Sequence, residues 1–261
     1  MRQESFVTRP SLDNWQTERL RLTGFPSPAP PIDTSGSSNW WRNVTGEEPE
    51  RRISHPKRSG QQDEGPLRDG KLILRVEPAR IDWFYTVDDS KFNGVNILSI
   101  NSFVGSLVDF EKLMSHWFGL ETCPALQRLA FGATIFQSVK DQQEGYKLLS
   151  TYLNSLNLDS EGISDFLYQI NRPRNSRMGI PNLRINRLSK WSVAGYRLDQ
   201  FSISSVHMER YPGNPSFAVR LELDINTVPD FQGELSKGQL PQIFQELVDF
   251  GREIASEGDI R

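Results

Sequence analysis

The sequence predicts an α+β fold: antiparallel sheet with amphipathic helices packed on one face, in two similar halves that each join strands to a helix. Three observations carry this. Phe217, Val219, Leu221, Leu223 and Ile225 alternate with Ala218, Arg220, Glu222, Asp224 and Asn226. Period two marks a strand with one buried and one wet face, hence an antiparallel sheet. Residues 101–118 (NSFVGSLVDFEKLMSHWF) instead place Phe103, Leu107, Phe110, Met114 and Trp117 at helical spacing, with Asp109, Lys112 and His116 opposite. That is an amphipathic helix. Finally, apolar residues are only 36% of 261, but 15 Phe, 6 Trp and 6 Tyr supply the bulk a core needs.

In chain order, RLRLTG (19–24) is a short strand. Composition then shifts to Pro, Ser, Gly and charge, and residues 25–70 read as one long loop or insertion. Trp40 and Trp41 stand out in it, and the reading makes them a docking element for a partner. Leu72, Leu74 and Val76 alternate, Glu77-Pro78-Ala79 turns, and Ile81, Trp83, Tyr85 and Val87 alternate again, which is a hairpin signature. After the helix, ALQRLAFGATIF (125–136) is a strand. Asp141 to Glu144 is a capping box opening a helix that carries Tyr146, Leu149, Tyr152, Leu153 and Leu156.

A second short helix is expected near 160–170. Residues 183–210 read as extended, with bulges at Asp199-Gln200 and Ser204-Ser205. Pro212-Gly213-Asn214-Pro215 is a turn. Counting outward from it pairs Met208 with Val219 and Val206 with Leu221 on the core side, and sets His207 against Arg220 and Ser205 against Glu222 on the wet side. Leu240-Pro241 opens a last helix, with Ile243, Phe244, Leu247, Val248 and Ile254 inward and Gly258 past its end. The whole, 1–261, reads as a single domain with halves at 71–120 and 121–261 and no repeat in the residues themselves.

Composition narrows the function. A net charge of −3 does not imply nucleic acid by itself. One cysteine, Cys123, cannot form an internal disulfide, which favours a reducing compartment. No leader-like apolar stretch opens the sequence and no run reaches transmembrane length. The expectation is a cytoplasmic protein of prokaryotic style with no membrane contact. Asn43-Val44-Thr45 matches a glycosylation sequon, a pattern too short to carry weight.

The catalytic inventory is thin. His55, His116 and His207 are scattered, and no phosphate loop, nucleophile elbow or HExxH occurs. Pro229-Asp230 followed by Glu234-Leu235-Ser236-Lys237 imitates the PD…ExK pattern of metal-dependent nucleases, but Gly233 and Gly238 make this stretch a loop, whereas that chemistry needs two strands. No cofactor and no metal is expected, and the reading leans away from an enzyme. One stretch has electrostatic character: between Asp165 and Asp199 lie Arg172, Arg174, Arg177, Arg184, Arg187, Lys190 and Arg197 with no acid, flanked by Tyr168, Trp191 and Tyr196. Arginine forks suit phosphate and aromatics stack on bases. A solvated strand edge is the plainer alternative.

The hairpin GKLILRVEPARIDWFY, the helix after it, the strand LQRLAFGATI, the late strand SFAVRLELDINT and the closing helix LPQIFQELVDFGREI together resemble, over residues 70–255, a sporadically distributed family of uncharacterised bacterial proteins of about this length. The family's Pro-Pro-Ile opening corresponds to Pro30-Pro31-Ile32, here followed by the long loop instead of a strand. The resemblance offers no catalytic residues, and its patchy distribution implies a mobile or defence-related gene setting. The expected function is therefore a non-enzymatic protein-interaction subunit of a bacterial multi-protein system, with nucleic-acid binding through the basic run 172–197 as the alternative.

Overall fold

The computed structural model describes residues 11–27, 39–55, 60–91, 97–156, 158, 162–196, 199–203, 208–212 and 215–260. Strand β1 (Gln16–Pro26) is followed by a short helix α1 (Trp40–Thr45), four strands, β2 (Arg51–His55), β3 (Gly60–Leu67), β4 (Gly70–Glu77) and β5 (Arg80–Thr86), and a long helix α2 (Phe103–Gly119). Strand β6 (Leu126–Val139) then leads to α3 (Gln142–Tyr152), β7 (Leu167–Asn171), the two-residue β8 (Arg174–Asn175), β9 (Arg184–Tyr196), β10 (Asp199–Ile203), β11 (Met208–Pro212), β12 (Ser216–Thr227) and α4 (Leu240–Glu257).

Ten strands form one antiparallel sheet in the order β2-β3-β4-β5-β1-β6-β12-β9-β7, with β8 beside β9. The period-two pattern explains which side each residue takes. Leu20 and Leu22 of β1, Ile81, Trp83 and Tyr85 of β5, and Val219, Leu221, Leu223 and Ile225 of β12 are all buried on one face. The four helices lie on that face. Trp41 of α1 stacks on Trp83, Trp117 of α2 packs edge-on to Trp83, and Phe244 of α4 meets Phe131 of β6. Helix α3 packs on β9 and β12.

From the centre outward the sheet reads β1-β5-β4-β3-β2 on one side and β6-β12-β9-β7 on the other. Each side starts with its central strand, passes through a helix, runs from the outer edge back to the centre, and ends in a long helix. The two similar halves are therefore real. Their seam is β1 against β6, with Leu20 opposite Ala133 and Leu22 opposite Phe131. The first half begins at Gln16, well before the expected 71, because β1 and α1 belong to it.

The capping box forms, with Asp141 Oδ1 accepting from Glu144 N at 2.8 Å and Glu144 reaching back to Lys140 N at 2.6 Å. Helix α4 stops where expected. Gly258 sits at φ 81°, and a Cβ there would overlap the Tyr152 carbonyl, so only glycine fits.

Several expectations are corrected. Residues 25–70 are not one loop, since α1, β2 and β3 lie within them. Strand β3 hid because its buried face carries Asp63, clasped by Arg52 at 2.8 and 3.1 Å, instead of an apolar residue. The short helix near 160–170 is replaced by β7, whose Tyr168 and Ile170 face inward while their neighbours are exposed. The hairpin around residues 212–215 does not exist. Strand β11 pairs with β10, Met208 opposite Ile203, and β12 pairs with β6 and β9, so Val219 stands between Gln137 and Val193. Val219 and Leu221 are nonetheless buried as expected. Two long neighbours offer β12 backbone partners on both edges, which a single hairpin cannot. Asp199-Gln200 is the start of β10 and not a bulge. Ser204, Ser205, Val206, His207, Gly213 and Asn214 lie outside the described residues, as do Pro30, Pro31 and Ile32.

Candidate functional site

The helix-free face of the sheet carries a trough of about 350 Å³ directly over the seam. Its floor is β6, where Gly132 and Thr134 put small groups between larger neighbours. The registers set the walls. Arg19 and Glu222 flank Thr134 from opposite sides, and Arg21 and Asp224 flank Gly132 in the same way. Phe84 lies beyond Arg21, and Leu188 beyond Asp224. Lys190 lies beyond Glu222, with Gln169 next to it. Arg19 and Arg21 thus line one wall and Glu222 and Asp224 the other, with Lys190 behind Glu222 and Phe84 and Leu188 at the ends of the Gly132 row.

Gly132 lets the Arg21 guanidinium lie down across the floor: a Cβ at 132 would come within 3.2 Å of its Nε and Nη2. Arg21 reaches Asp224 only at 3.6 Å, beyond hydrogen-bond distance, and its buried Nε has no hydrogen-bond partner. Asp224 accepts from Asn226 at 3.1 Å. Glu222 is held by Arg220 at 2.6 Å and Lys190 at 3.0 Å, and Arg220 also donates to Glu18 at 3.2 and 3.3 Å. Burial of Arg220 opposes its charge, but Glu18 and Glu222 hold it above the ordinary arginine value. Among the described residues, no imidazole or thiol lines the trough. What these groups can do is recognise: form ion pairs and hydrogen bonds with an incoming surface.

The expected partner residues Trp40 and Trp41 are elsewhere. They are 1% and 2% exposed. Trp40 lies edge-on to Trp117 at 5.8 Å and donates its indole N–H to Thr122 Oγ1 at 3.1 Å. An indole buried this way has no face left for a partner, so these two residues belong to the core.

The basic run is corrected as well. It is not a free patch, because the chain supplies its own acids from the end of α4. Arg172 grips Asp259 at 2.5 and 2.7 Å, with the Tyr168 hydroxyl donating to the same carboxylate at 2.7 Å. Glu253 accepts from Arg174 at 2.7 Å and lies 3.6 Å from Arg177 and 3.4 Å from Arg187. Arg187 is 1% exposed, 5.1 Å from the Phe250 ring centre, and burial pushes its guanidinium below the ordinary arginine value despite Glu253. Arg184 is exposed on β9, Lys190 lines the trough, and Arg197 lies outside the described residues.

The remaining candidates place as follows. His116 is exposed on α2, and His55 ends β2. Cys123 is buried, which pushes its thiol up to about 12. Asp230, Glu234 and Lys237 are exposed in the connection before α4. Among the described residues, no group of three His, Cys, Asp or Glu side chains could hold a metal ion, and no helix is long and apolar enough to cross a membrane.

Arg19, Arg21, Glu222 and Asp224 were not singled out from the sequence. Each strand announces its own wet face, Arg19 and Arg21 by alternating with Leu20 and Leu22. Which strands lie side by side is a long-range property that no single strand reports. No family model, curated protein or solved structure matches the chain.

Proposed function

We propose that this chain is a non-enzymatic interaction subunit that docks a protein partner on the helix-free face of its sheet. The observation that supports the reading is the trough over the seam: a cationic wall, an acidic wall, and an arginine on the floor left short of hydrogen bonds. A polyanion would meet Glu222 and Asp224 as well as the cations, and the run 172–197 is largely committed to Glu253 and Asp259. Both facts favour protein over nucleic acid. The resemblance adds a setting, a bacterial multi-protein system in a mobile or defence-related neighbourhood.

The test is capture from the native source at low salt with a tagged chain, with nucleic acid assayed in the same sample. Wild type is expected to retain protein, a second copy of itself included, and Arg19→Glu/Arg21→Glu to lose it while keeping the wild-type circular dichroism. Retention of the same proteins by both forms, or of nucleic acid alone, would sink the reading.

A further inference from the structure

The charges on this face are arranged so that the face complements itself. Consider a two-fold axis lying in the plane of the face and running along β6. Rotation about it carries β1 over β12 and β5 over β9 of a second copy. Because Arg19 and Glu222 both flank Thr134, and Arg21 and Asp224 both flank Gly132, the rotation sets Arg19 on Glu222 and Arg21 on Asp224, each pair twice. Phe84 falls on Leu188, an apolar pair at each end of that row. At the axis Gly132 and Thr134 meet their own copies, and small groups there let two sheets approach.

Glu222 already holds Arg220 and Lys190 of its own chain, so Asp224 is the freer of the two carboxylates. Thr86, next to Arg19, falls on Lys190, which lies next to Glu222. One row further, Thr23 and Asn226 flank Ala130 and Asp82 takes the place opposite Asn186, but Thr23, Ala130 and Asp82 are buried, Asp82 being closed off by Arg80 and Thr23. In these three rows no like charges oppose each other. A two-fold interface requires this self-matching of one patch, and stacked antiparallel sheets cross at only about 30°, so the matches nearest the axis persist. The charged side chains are also accessible, Arg21 at 27% and Asp224 at 43%.

We propose that the occupant of this face is a second copy of the chain, in a two-fold dimer held by Arg19 and Arg21 against Glu222 and Asp224. This rests on reading the face as a docking surface. Four ion pairs at a half-wet interface make the association salt-dependent.

Sedimentation equilibrium tests it. Wild type, 29.9 kDa as one chain, is expected to sediment at twice that mass at about 100 μM and about 50 mM salt, and to dissociate at about 500 mM. Arg19→Glu/Arg21→Glu and Glu222→Lys/Asp224→Lys should each weaken self-association at least about a hundredfold, since like charges then face each other. An equimolar mixture of the two variants should associate again, because an all-acidic face then meets an all-basic one. Monomeric wild type at low salt overturns the proposal, as does a mixture that stays monomeric while both variants keep the wild-type circular dichroism. If either variant fails to fold, the wild-type mass and its salt dependence decide alone. A monomeric wild type that still captures another protein through Arg19 and Arg21 ends the dimer and leaves the docking reading standing; a monomer that captures nothing ends both.

Discussion

In the first half of the sheet, the space beneath the helices is filled by four indoles: Trp40, Trp41, Trp83 and Trp117 lie in ring contact with one another. In the second half, part of the space beneath α4 holds a buried guanidinium, Arg187, with Phe250 over it and Glu253 beside it. The strand path is the same in both. Shared topology with unlike filling means that the pattern of buried and wet positions specifies the path, while the chemistry of the filling is free to differ provided volume is kept. The fillings differ in risk. Indoles lose little if a neighbour shifts; a buried cation depends on one carboxylate.

The largest expected effect comes from breaking that dependence. Glu253→Ala takes away the carboxylate beside buried Arg187 and also removes a hydrogen bond from Arg174, and should cost about 3–5 kcal/mol in urea unfolding. Arg187→Met removes the charge together with its need for a partner and should be near neutral, as exchange of a buried ion pair for packed apolar groups often is. If Arg187→Met costs as much as Glu253→Ala, the arginine is required in its own right, and the two halves are less interchangeable than their shared path implies.

How much of this was legible depends on range. Strand β12 and helix α4 were plain because their apolar residues repeat at a fixed local period, and Gly258 marks an end by backbone conformation alone. Strands β2 and β3 were hidden because Asp63 occupies a buried position, made tolerable by Arg52 on the neighbouring strand; a polar residue at a core position erases the binary pattern. Trp40 and Trp41 were visible but misplaced, because α1 is six residues long and too short to show a buried face. Arg172, Arg174, Arg177 and Arg187 looked free because their acids, Glu253 and Asp259, lie some seventy to ninety residues on. The trough was legible one strand at a time and not as a site, since it exists only once β1, β6, β12 and β9 are ordered.

The next effect is a pH response at the end of the second half. The Arg172 guanidinium, against some desolvation and with help from the Tyr168 hydroxyl, holds the Asp259 carboxyl below the usual carboxylate value. A group whose folded value is depressed adds stability above its unfolded value, about 3.9, and loses it as pH falls through the folded value. Tryptophan does not titrate in this range. Hydrogen exchange followed down from about pH 5 should therefore show α4 amides losing protection below about pH 4, before those of α2. In Asp259→Asn, which should cost about 2 kcal/mol at neutral pH, this acid-linked step should be missing. Equal loss of protection in the two helices would mean the halves unfold as one unit with no local weak point.

The smallest effect tests the helices that follow the two central strands. Helix α3 begins with Asp141, whose carboxylate accepts from the Glu144 amide at 2.8 Å, while Asn39 before α1 makes no side-chain capping bond. An eleven-residue helix is marginal by length, so its first turn needs the amides satisfied. Helix α1 is shorter still, yet Trp40, Trp41 and Val44 are all buried, and packing holds it without a cap. Asp141→Ala should thus cost about 1 kcal/mol, the usual value of an N-cap, and Asn39→Ala should stay within about 0.5 kcal/mol of wild type. The two substitutions remove side chains at equivalent places in the shared path, so the difference between them measures local capping against tertiary packing. An Asn39→Ala cost equal to that of Asp141→Ala would show that α1 too relies on its first turn, and that the indoles alone do not hold it.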